Sequence, residues 1–238
     1  MIGWQRWSAT DMGNRRAHNE DALVLRDDDG LWAVIDGLGG VDAGQVASAA
    51  LAHALTHLRL AQGLADAVDQ IEDVLLAVHE QLRDYAAELQ PARTLGCTVA
   101  ILRITQRWAL LCWVGDVRVY RWRHGRLSCL SEDHVNGPQA DLTRLVGADD
   151  MLPDFAVLRV EDGDRYLICS DGLHAELPPE RLAHWLARDP AEAQRELVAE
   201  ALAAGGRDNL SLVLLDVGVD ADHARGARPG VEVAHEPA

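Results

Sequence analysis

The chain has 238 residues, of which 48% are hydrophobic and 25% charged, a balance that suits one large or two small globular domains. Its formal net charge of −16 makes nucleic acids and anionic lipids unfavourable partners. The N-terminus lacks an apolar signal-peptide stretch, and no segment approaches the ~18 apolar residues of a membrane span. The four cysteines form no CxxC pair and lie in apolar strand-like segments, which predicts reduced core residues. We therefore expect a cytoplasmic protein without a membrane anchor, and a monomer.

The N-terminal half begins with strands and continues with helices. Alternating residues predict a strand over 4–10, and two more strands, 21–26 and 31–35, flank a polar turn. The period then becomes helical, which predicts amphipathic helices over 44–60 and 65–89. The residues predicted to face the core from the first helix are Val46, Ala49, Ala50, Ala54 and Leu58.

The C-terminal half repeats this order of strands followed by helices. Strands are predicted at 97–104, 108–114, 117–122, 127–130, 155–160 and 165–169. Two helices, 178–188 and 190–204, and a strand over 210–217 follow. Residues 218–238 carry no periodicity and are predicted to be a disordered tail behind a single domain, 1–217. Because strands and helices come in blocks, the fold class is predicted to be layered α+β.

Acidic residues recur beside glycine at the ends of apolar strands. This pattern occurs at Asp36-Gly37, Gly115-Asp116 and Asp171-Gly172, and Asp208 and the pair Glu20-Asp21 stand at strand starts. Strands disfavour aspartate, and buried carboxylates that share one space must be protonated or neutralised. Hard divalent cations neutralise such a group with oxygen ligands, so the pattern favours a Mg²⁺ or Mn²⁺ site.

Other interpretations of these residues stay open at this level. Asp-Gly after a strand is also a strong hairpin-turn signal, so any single case could be a turn. The segment after Asp36 is glycine-rich like a dinucleotide-binding loop, but Asp42 stands where the third glycine of that motif is needed. His53 and His57 lie one helical turn apart, yet no set of further zinc ligands accompanies them.

Together these residues resemble the protein phosphatase 2C (PPM) family. The segments that carry the resemblance, in family order over residues 8–216, are Asp11-x-Gly13-x-x-Arg16-x-x-Asn19-Glu20-Asp21, Val34-Ile35-Asp36-Gly37-Leu38-Gly39-Gly40, Gly96-Cys97-Thr98, Val114-Gly115-Asp116-x-Arg118, Leu130-Ser131-Glu132-Asp133-His134, Leu142 to Gly147, Cys169-Ser170-Asp171-Gly172 and Gly206-Arg207-Asp208-Asn209. One such motif would be weak, whereas eight in register are specific.

The resemblance implies a four-layer α-β-β-α sandwich, with two antiparallel sheets flanked by helix pairs. It implies that two Mn²⁺ or Mg²⁺ ions activate the water that hydrolyses phosphoserine or phosphothreonine in proteins, reversing a bacterial Ser/Thr kinase. Asp36 would bridge the two ions. The other implied roles are metal binding for Glu20, the Gly37 carbonyl, Asp171 and Asp208, a third, weaker metal for Asp116, phosphate binding for Arg16, and support of the site for Asp21 and Asn209.

Two departures from the family pattern bear on mechanism. Leu38 occupies the position where many eukaryotic members carry a histidine proposed as general acid, which leaves His18 as a conceivable substitute. The flap segment between His134 and Leu142 is short for a bacterial member, and this weakens the expectation of a third metal. The chain resembles a stand-alone bacterial phosphatase; a phosphoprotein-binding module with weak catalysis is the alternative. The acidic charge argues against a nuclease.

Overall fold

The computed structural model describes residues 3–39, 43–89, 95–105, 107–137, 141–148 and 150–218. The strands are β1 (Gly3–Asp11), β2 (Ala22–Arg26), β3 (Leu31–Leu38), β4 (Gly96–Thr105), β5 (Trp108–Val114), β6 (Arg118–Arg123), β7 (Arg126–Cys129), β8 (Val135–Asn136), β9 (Asp141–Leu142), β10 (Asp154–Arg159), β11 (Arg165–Cys169) and β12 (Leu210–Gly218). The helices are α1 (Ala43–His57), α2 (Leu64–Glu88), α3 (Asp171–His174), α4 (Pro179–Leu186) and α5 (Pro190–Ala204).

Ten of these strands form two five-stranded sheets with antiparallel pairing. The first sheet has the order β1-β12-β11-β6-β7 and the second the order β10-β5-β4-β3-β2, while β8 and β9 pair with each other. Antiparallel pairing throughout these strands contradicts the dinucleotide-binding alternative, which needs parallel strands.

The two sheets pack face to face through alternate residues of their strands. Trp32, Val34 and Leu111 of the second sheet meet Ile168 and Val213 of the first in one buried cluster. The opposite faces of the same strands pack on helices, α1 and α2 on the second sheet and α3 to α5 on the first. Strands covered on both faces explain the nearly continuous apolar segments of the sequence. The predicted four-layer sandwich is thereby confirmed.

The helix α1 is confirmed, and its predicted core-facing set is partly right. Ala50, Ala54 and Leu58 are partly buried and pack against the core. The buried residues include Ala47, Leu51 and Leu55, whereas Val46 is 41% exposed and Ala49 is exposed. Six of the fifteen residues of α1 are alanine, which is compatible with either face, so the side chains that pack against β3 and β2 decide which stripe is buried.

Three further features differ from the sequence-based expectations. The short helix α3 and the two-residue pair β8–β9 were not predicted, and Cys129 is exposed, whereas the other three cysteines are buried. Residues 219–238, nearly all of the predicted disordered tail, lie outside the described residues. In the described part of the chain, no helix is both long and apolar enough to span a membrane.

Candidate metal centre

Strand ends from both sheets meet at a cleft of about 320 Å³. The predicted site residues that line it are Arg16, Glu20, Asp36, Gly37, Asp116, Asp171 and Asp208. Asp36 lies within β3, Asp116 follows β5, Asp171 begins α3 directly after β11, and Asp208 precedes β12. Residues up to 192 positions apart in sequence therefore share one space. Asp21 and Asn209 do not line it.

Glycines allow the site segments to approach each other closely. A Cβ atom on Gly37 would lie 2.2 Å from the carbonyl oxygen of Gly44, at the start of α1. A Cβ atom on Gly172 would lie 2.0 Å from the carbonyl oxygen of Asn209, which is next to Asp208. Gly172 thus brings the chain segments of Asp171 and Asp208 into contact, and a larger residue would separate them.

The three Asp/Gly pairs have three different conformations. Asp36-Gly37 remains within β3, and Asp171-Gly172 opens α3. Only Gly115-Asp116 forms a turn, between β5 and β6, with Gly115 at a φ of +98°. Because β5 and β6 belong to different sheets, this turn is not a hairpin, and the hairpin-turn interpretation holds for none of the three pairs. All three aspartates line the cleft.

The converging carboxylates raise each other's pKa values. Burial raises the pKa of Asp36 well above its ordinary value, and the charges of Asp21, Asp171, Asp116 and Asp208 raise it further. Burial and neighbouring charges also raise the pKa of Asp171, and they raise that of Asp21 to about 7 and that of Asp116 to about 6. Negative charge at this site is therefore incompletely compensated by the protein itself.

The donor set of the cleft fits divalent cations. The Asp171 Oδ1 and Asp21 Oδ1 atoms are buried and have no hydrogen-bond partner among the described residues. Carboxylate oxygens without donors, in a cleft where proximity raises carboxylate pKa values, form the environment that a hard cation stabilises. As the side chains stand, the described ranges contain no group of three His, Cys, Asp or Glu residues arranged to hold one ion.

Arg16 contacts one of these carboxylates directly. Its Nη2 atom donates a hydrogen bond of 2.5 Å to Asp208 Oδ2, and Asp208 raises the pKa of the guanidinium. The Arg16 side chain is 48% exposed, so its remaining donors face the cleft and solvent. The structure thus brings a guanidinium to the rim of an acidic cleft, where it can bind an oxyanion.

Asn209 fixes the loop that carries Arg16 and Glu20. Its side-chain oxygen accepts from the Glu20 backbone N–H at 2.9 Å, and its Nδ2 donates to the carbonyl oxygens of Met12 and His18, each at 2.9 Å. Asn209 is 4% exposed, so these three bonds are shielded from water. One amide side chain therefore ties residues 12–20 to the start of β12.

Asp21 lies behind the cleft and joins the two sheets. Its Oδ2 atom accepts from the Ser170 hydroxyl at 2.9 Å, and the same hydroxyl accepts from the Ser211 backbone N–H at 2.9 Å. Ser170 precedes Asp171, so this chain of bonds fixes the entry to α3. The carboxylate of Asp21 is thereby held close to those of the cleft.

Two histidines without a predicted catalytic or metal-binding role, His134 and His174, contact the turn of Asp116. His134 accepts from the Gly115 N–H at 3.0 Å through Nδ1, and His174 Nε2 lies 3.0 Å from the Asp116 carbonyl oxygen. Burial lowers the pKa of His174 to about 4, so this side chain is neutral near pH 7 and donates through Nε2. Both contacts are to backbone atoms, which no sequence motif reveals. By contrast, His53 and His57 are exposed on α1.

Comparison with known proteins finds similarity to phosphatases. A sequence model of the family described as "Protein phosphatase 2C" matches residues 13–205. A serine/threonine protein phosphatase, PstP of Mycobacterium tuberculosis, is 28% identical over 236 residues, which cover 91% of this chain and 45% of that protein. The chain thus spans less than half the length of this relative.

Solved structures share the fold over nearly the whole described domain. A structure described as "PppA, a key regulatory component of T6SS in Pseudomonas aeruginosa" superposes with a TM-score of 0.86 at 32% identity, covering 90% of this chain and 98% of that one. The catalytic domain of a PstP in complex with two manganese ions gives a TM-score of 0.80 at 28% identity, with coverage of 92% and 100%.

Proposed function

The chain belongs to the protein phosphatase 2C family, and from that premise we propose that it hydrolyses phosphoserine and phosphothreonine in proteins. The observation that carries the proposal is the convergence of Asp36, Asp171 and Asp208 with Arg16 at one cleft. A module that only binds phosphoproteins would need the arginine but not this crowded set of carboxylates, which is unfavourable without a cation.

We propose that the carboxylates hold two divalent cations, Mn²⁺ or Mg²⁺. Asp36 has the central position, since four other carboxylates act on its pKa, and it is the residue that would contact both ions. Asp171 and Asp208 would be further ligands of one ion. Glu20 and the Gly37 carbonyl would be ligands of the other ion. Asp116, which also lines the cleft, would serve a third ion. Bound cations supply Lewis acidity that activates water and neutralises charge on the phosphoryl group.

The chain's own residues orient the phosphate and the leaving group. We propose that the Arg16 guanidinium, now paired with Asp208, binds the phosphate oxygens and stabilises the charge that develops on them. Leu38 lines the cleft and cannot donate a proton. Among the described residues that line the cleft, His18 is the imidazole that could protonate the serine or threonine oxygen as it leaves.

The proposed substrate is a phosphoprotein made by a bacterial Ser/Thr kinase. Similarity to PppA, described as a regulatory component of a secretion system, makes a kinase of such a system a reasonable partner to test. The proposed location is the cytoplasm, where kinases find ATP and where the buried thiols of Cys97, Cys112 and Cys169 stay reduced.

A phosphopeptide panel tests this function. Chelator-treated protein would be given Mn²⁺ and peptides that carry phosphoserine, phosphothreonine or phosphotyrosine, and phosphate release would be measured. We expect release from the first two peptides, and none with Asp36→Asn, while Asp73→Asn, an exposed change on α2, retains wild-type rates. Peptide binding by the metal-loaded wild type without phosphate release would support the binding module instead.

A further inference from the structure

The turn that carries Asp116 is held by contacts from two directions. Gly115 and Asp116 connect β5 to β6, and Asp116 lines the cleft. Gly115 has a φ of +98°, and a Cβ atom there would lie 2.2 Å from Thr98 Cγ2. Glycine at this position leaves the backbone intrinsically mobile, so neighbouring groups must fix the turn. The direction of the Asp116 carboxylate depends on those groups.

His134 holds the turn through Gly115. Its backbone N–H donates to the Gly115 carbonyl at 2.9 Å, and the Gly115 N–H donates to its Nδ1 at 3.0 Å. Because Nδ1 accepts, the ring proton is on Nε2, which donates to Asp154 Oδ2 at 3.1 Å. Nε2 also lies 3.2 Å from Nη1 of Arg144, which itself donates to Asp154 Oδ1. His134 is 8% exposed and stacks at 6.3 Å on Trp113. The imidazole thus has one orientation and one tautomer.

The same residue holds the strands beside the cleft. The Thr143 N–H donates to the His134 carbonyl at 2.8 Å, and His134 directly precedes β8. The β8–β9 pair ends at Leu142, which lines the cleft. His134 is therefore in contact both with the turn of Asp116 and with the pair of strands that contributes Leu142.

His174 holds the turn through Asp116. Its Nε2 atom donates to the Asp116 carbonyl oxygen at 3.0 Å. His174 is the last residue of α3, the helix that begins with Asp171. This contact links the segments of two cleft carboxylates without passing through either carboxylate, and it does not involve the β8–β9 pair.

We propose that His134 and His174 are positioning residues that clamp the Gly115–Asp116 turn, and that His134 also couples the β8–β9 pair to it. This inference rests on the proposed phosphatase function. Loss of either histidine would let the Asp116 carboxylate move and would lower kcat for every substrate. Loss of the His134 ring would in addition remove its contact to Arg144, two residues after Leu142, and this would raise KM for phosphopeptides more than for a small aryl phosphate.

Paired substitutions separate the hydrogen bonds from general packing. In His134→Asn the amide oxygen occupies the place of Nδ1 and can accept from Gly115, whereas His134→Leu fills the space without an acceptor. In His174→Gln the amide nitrogen occupies the place of Nε2 and can donate to Asp116, whereas His174→Leu cannot. Each pair thus keeps or removes a single contact to the turn.

His79 offers a matched control. It is a buried histidine, 9% exposed, whose Nδ1 accepts from the Gly147 N–H at 3.0 Å, and it does not line the cleft. His79→Leu should lower stability about as much as His134→Leu while leaving kcat and KM near wild type. Hydrogen exchange of residues 113–118 provides a readout of the turn that is independent of activity.

We expect both leucine variants to lower kcat roughly ten- to a hundredfold, the consequence of an unpaired buried group at a precise site, and to lose exchange protection at 113–118. His134→Asn and His174→Gln should retain most of the wild-type kcat and most of the exchange protection at 113–118. Only His134→Leu should also raise the peptide KM. If the leucine variants fail to fold, the same measurements on His134→Gln and His134→Asn test the clamp. Glutamine has no acceptor beside the Gly115 N–H, so it should show the losses that asparagine does not.

Unchanged exchange and kinetics in folded leucine variants would overturn the clamp, as would equal losses in His79→Leu. A peptide KM that rises equally in His174→Leu would refute the coupling to β8–β9. Wild-type protein without phosphatase activity would refute the proposed function, and in that case the exchange data alone would still decide whether the histidines fix the turn.

Discussion

Replacing Asp21 by asparagine should remove much of the pH dependence of stability in the metal-free protein. Asp21 has one oxygen bonded to Ser170 and one buried oxygen without a partner. Asparagine can keep the bond from Ser170 and carries no charge. Burial, followed by the charges of Asp171 and Asp208, raises the pKa of Asp21 from its ordinary 3.8 to about 7.

The sign of the effect follows from this raised pKa. The folded carboxyl binds its proton more tightly than the unfolded one, so its contribution to stability is complete below pH 3.8 and is lost as pH rises through about 7. The difference between these pKa values corresponds to at most about 4 kcal/mol. Neighbouring carboxylates titrate together with Asp21, so we expect Asp21→Asn to remove only about half of this pH-dependent loss of stability.

Urea unfolding of chelator-treated protein at pH 5 and pH 8 measures this effect. Wild-type protein should lose free energy of unfolding between the two pH values, and Asp21→Asn should lose about 1 kcal/mol less, since part of the effect already lies below pH 5. Asp73→Asn, on the exposed face of α2, should behave as wild type. Equal pH dependence in Asp21→Asn and wild type would refute the claim that this carboxyl is destabilised when charged.

Three further substitutions test the site. Arg16→Ala should raise KM for small phosphate esters about tenfold or more, because a charged donor to the phosphate is lost, and unchanged steady-state kinetics would remove Arg16 from the site. Asn209→Ala should cost about 2–4 kcal/mol by breaking three buried bonds to residues 12–20, measured by urea unfolding; a cost below about 0.5 kcal/mol would contradict that role. Gly172→Ala should destabilise by more than about 2 kcal/mol, since its Cβ would lie 2.0 Å from a backbone oxygen, and wild-type thermal stability would show that the segments can separate freely.

The sequence predicted the fold and the cleft well because both depend on strong local patterns. Apolar segments long enough to be covered on two faces marked the strands, and carboxylates at their ends stood out against the low strand preference of aspartate. The structure brings all the predicted metal-binding candidates and Arg16 to one cleft. Their individual roles remain proposals.

What the sequence could not supply depends on packing or on backbone contacts. The alanine-rich α1 carries too weak a contrast between its faces to identify the buried stripe. Four residues of α3 and two each of β8 and β9 are too short to show a period. The pairing of Arg16 with Asp208 spans 192 positions, and the histidines act on backbone atoms of Gly115 and Asp116.

Hydrolysis of p-nitrophenyl phosphate by chelator-stripped protein, with and without millimolar Mn²⁺ and beside Asp208→Ala, tests the central claim most directly. We expect no activity without metal, activity when Mn²⁺ is restored, and none in the variant, whose circular dichroism should match wild type. A folded wild-type protein that stays inactive with Mn²⁺ and with Mg²⁺, or an Asp208→Ala variant as active as wild type, would contradict the assignment of this cleft as a metal-dependent phosphatase centre.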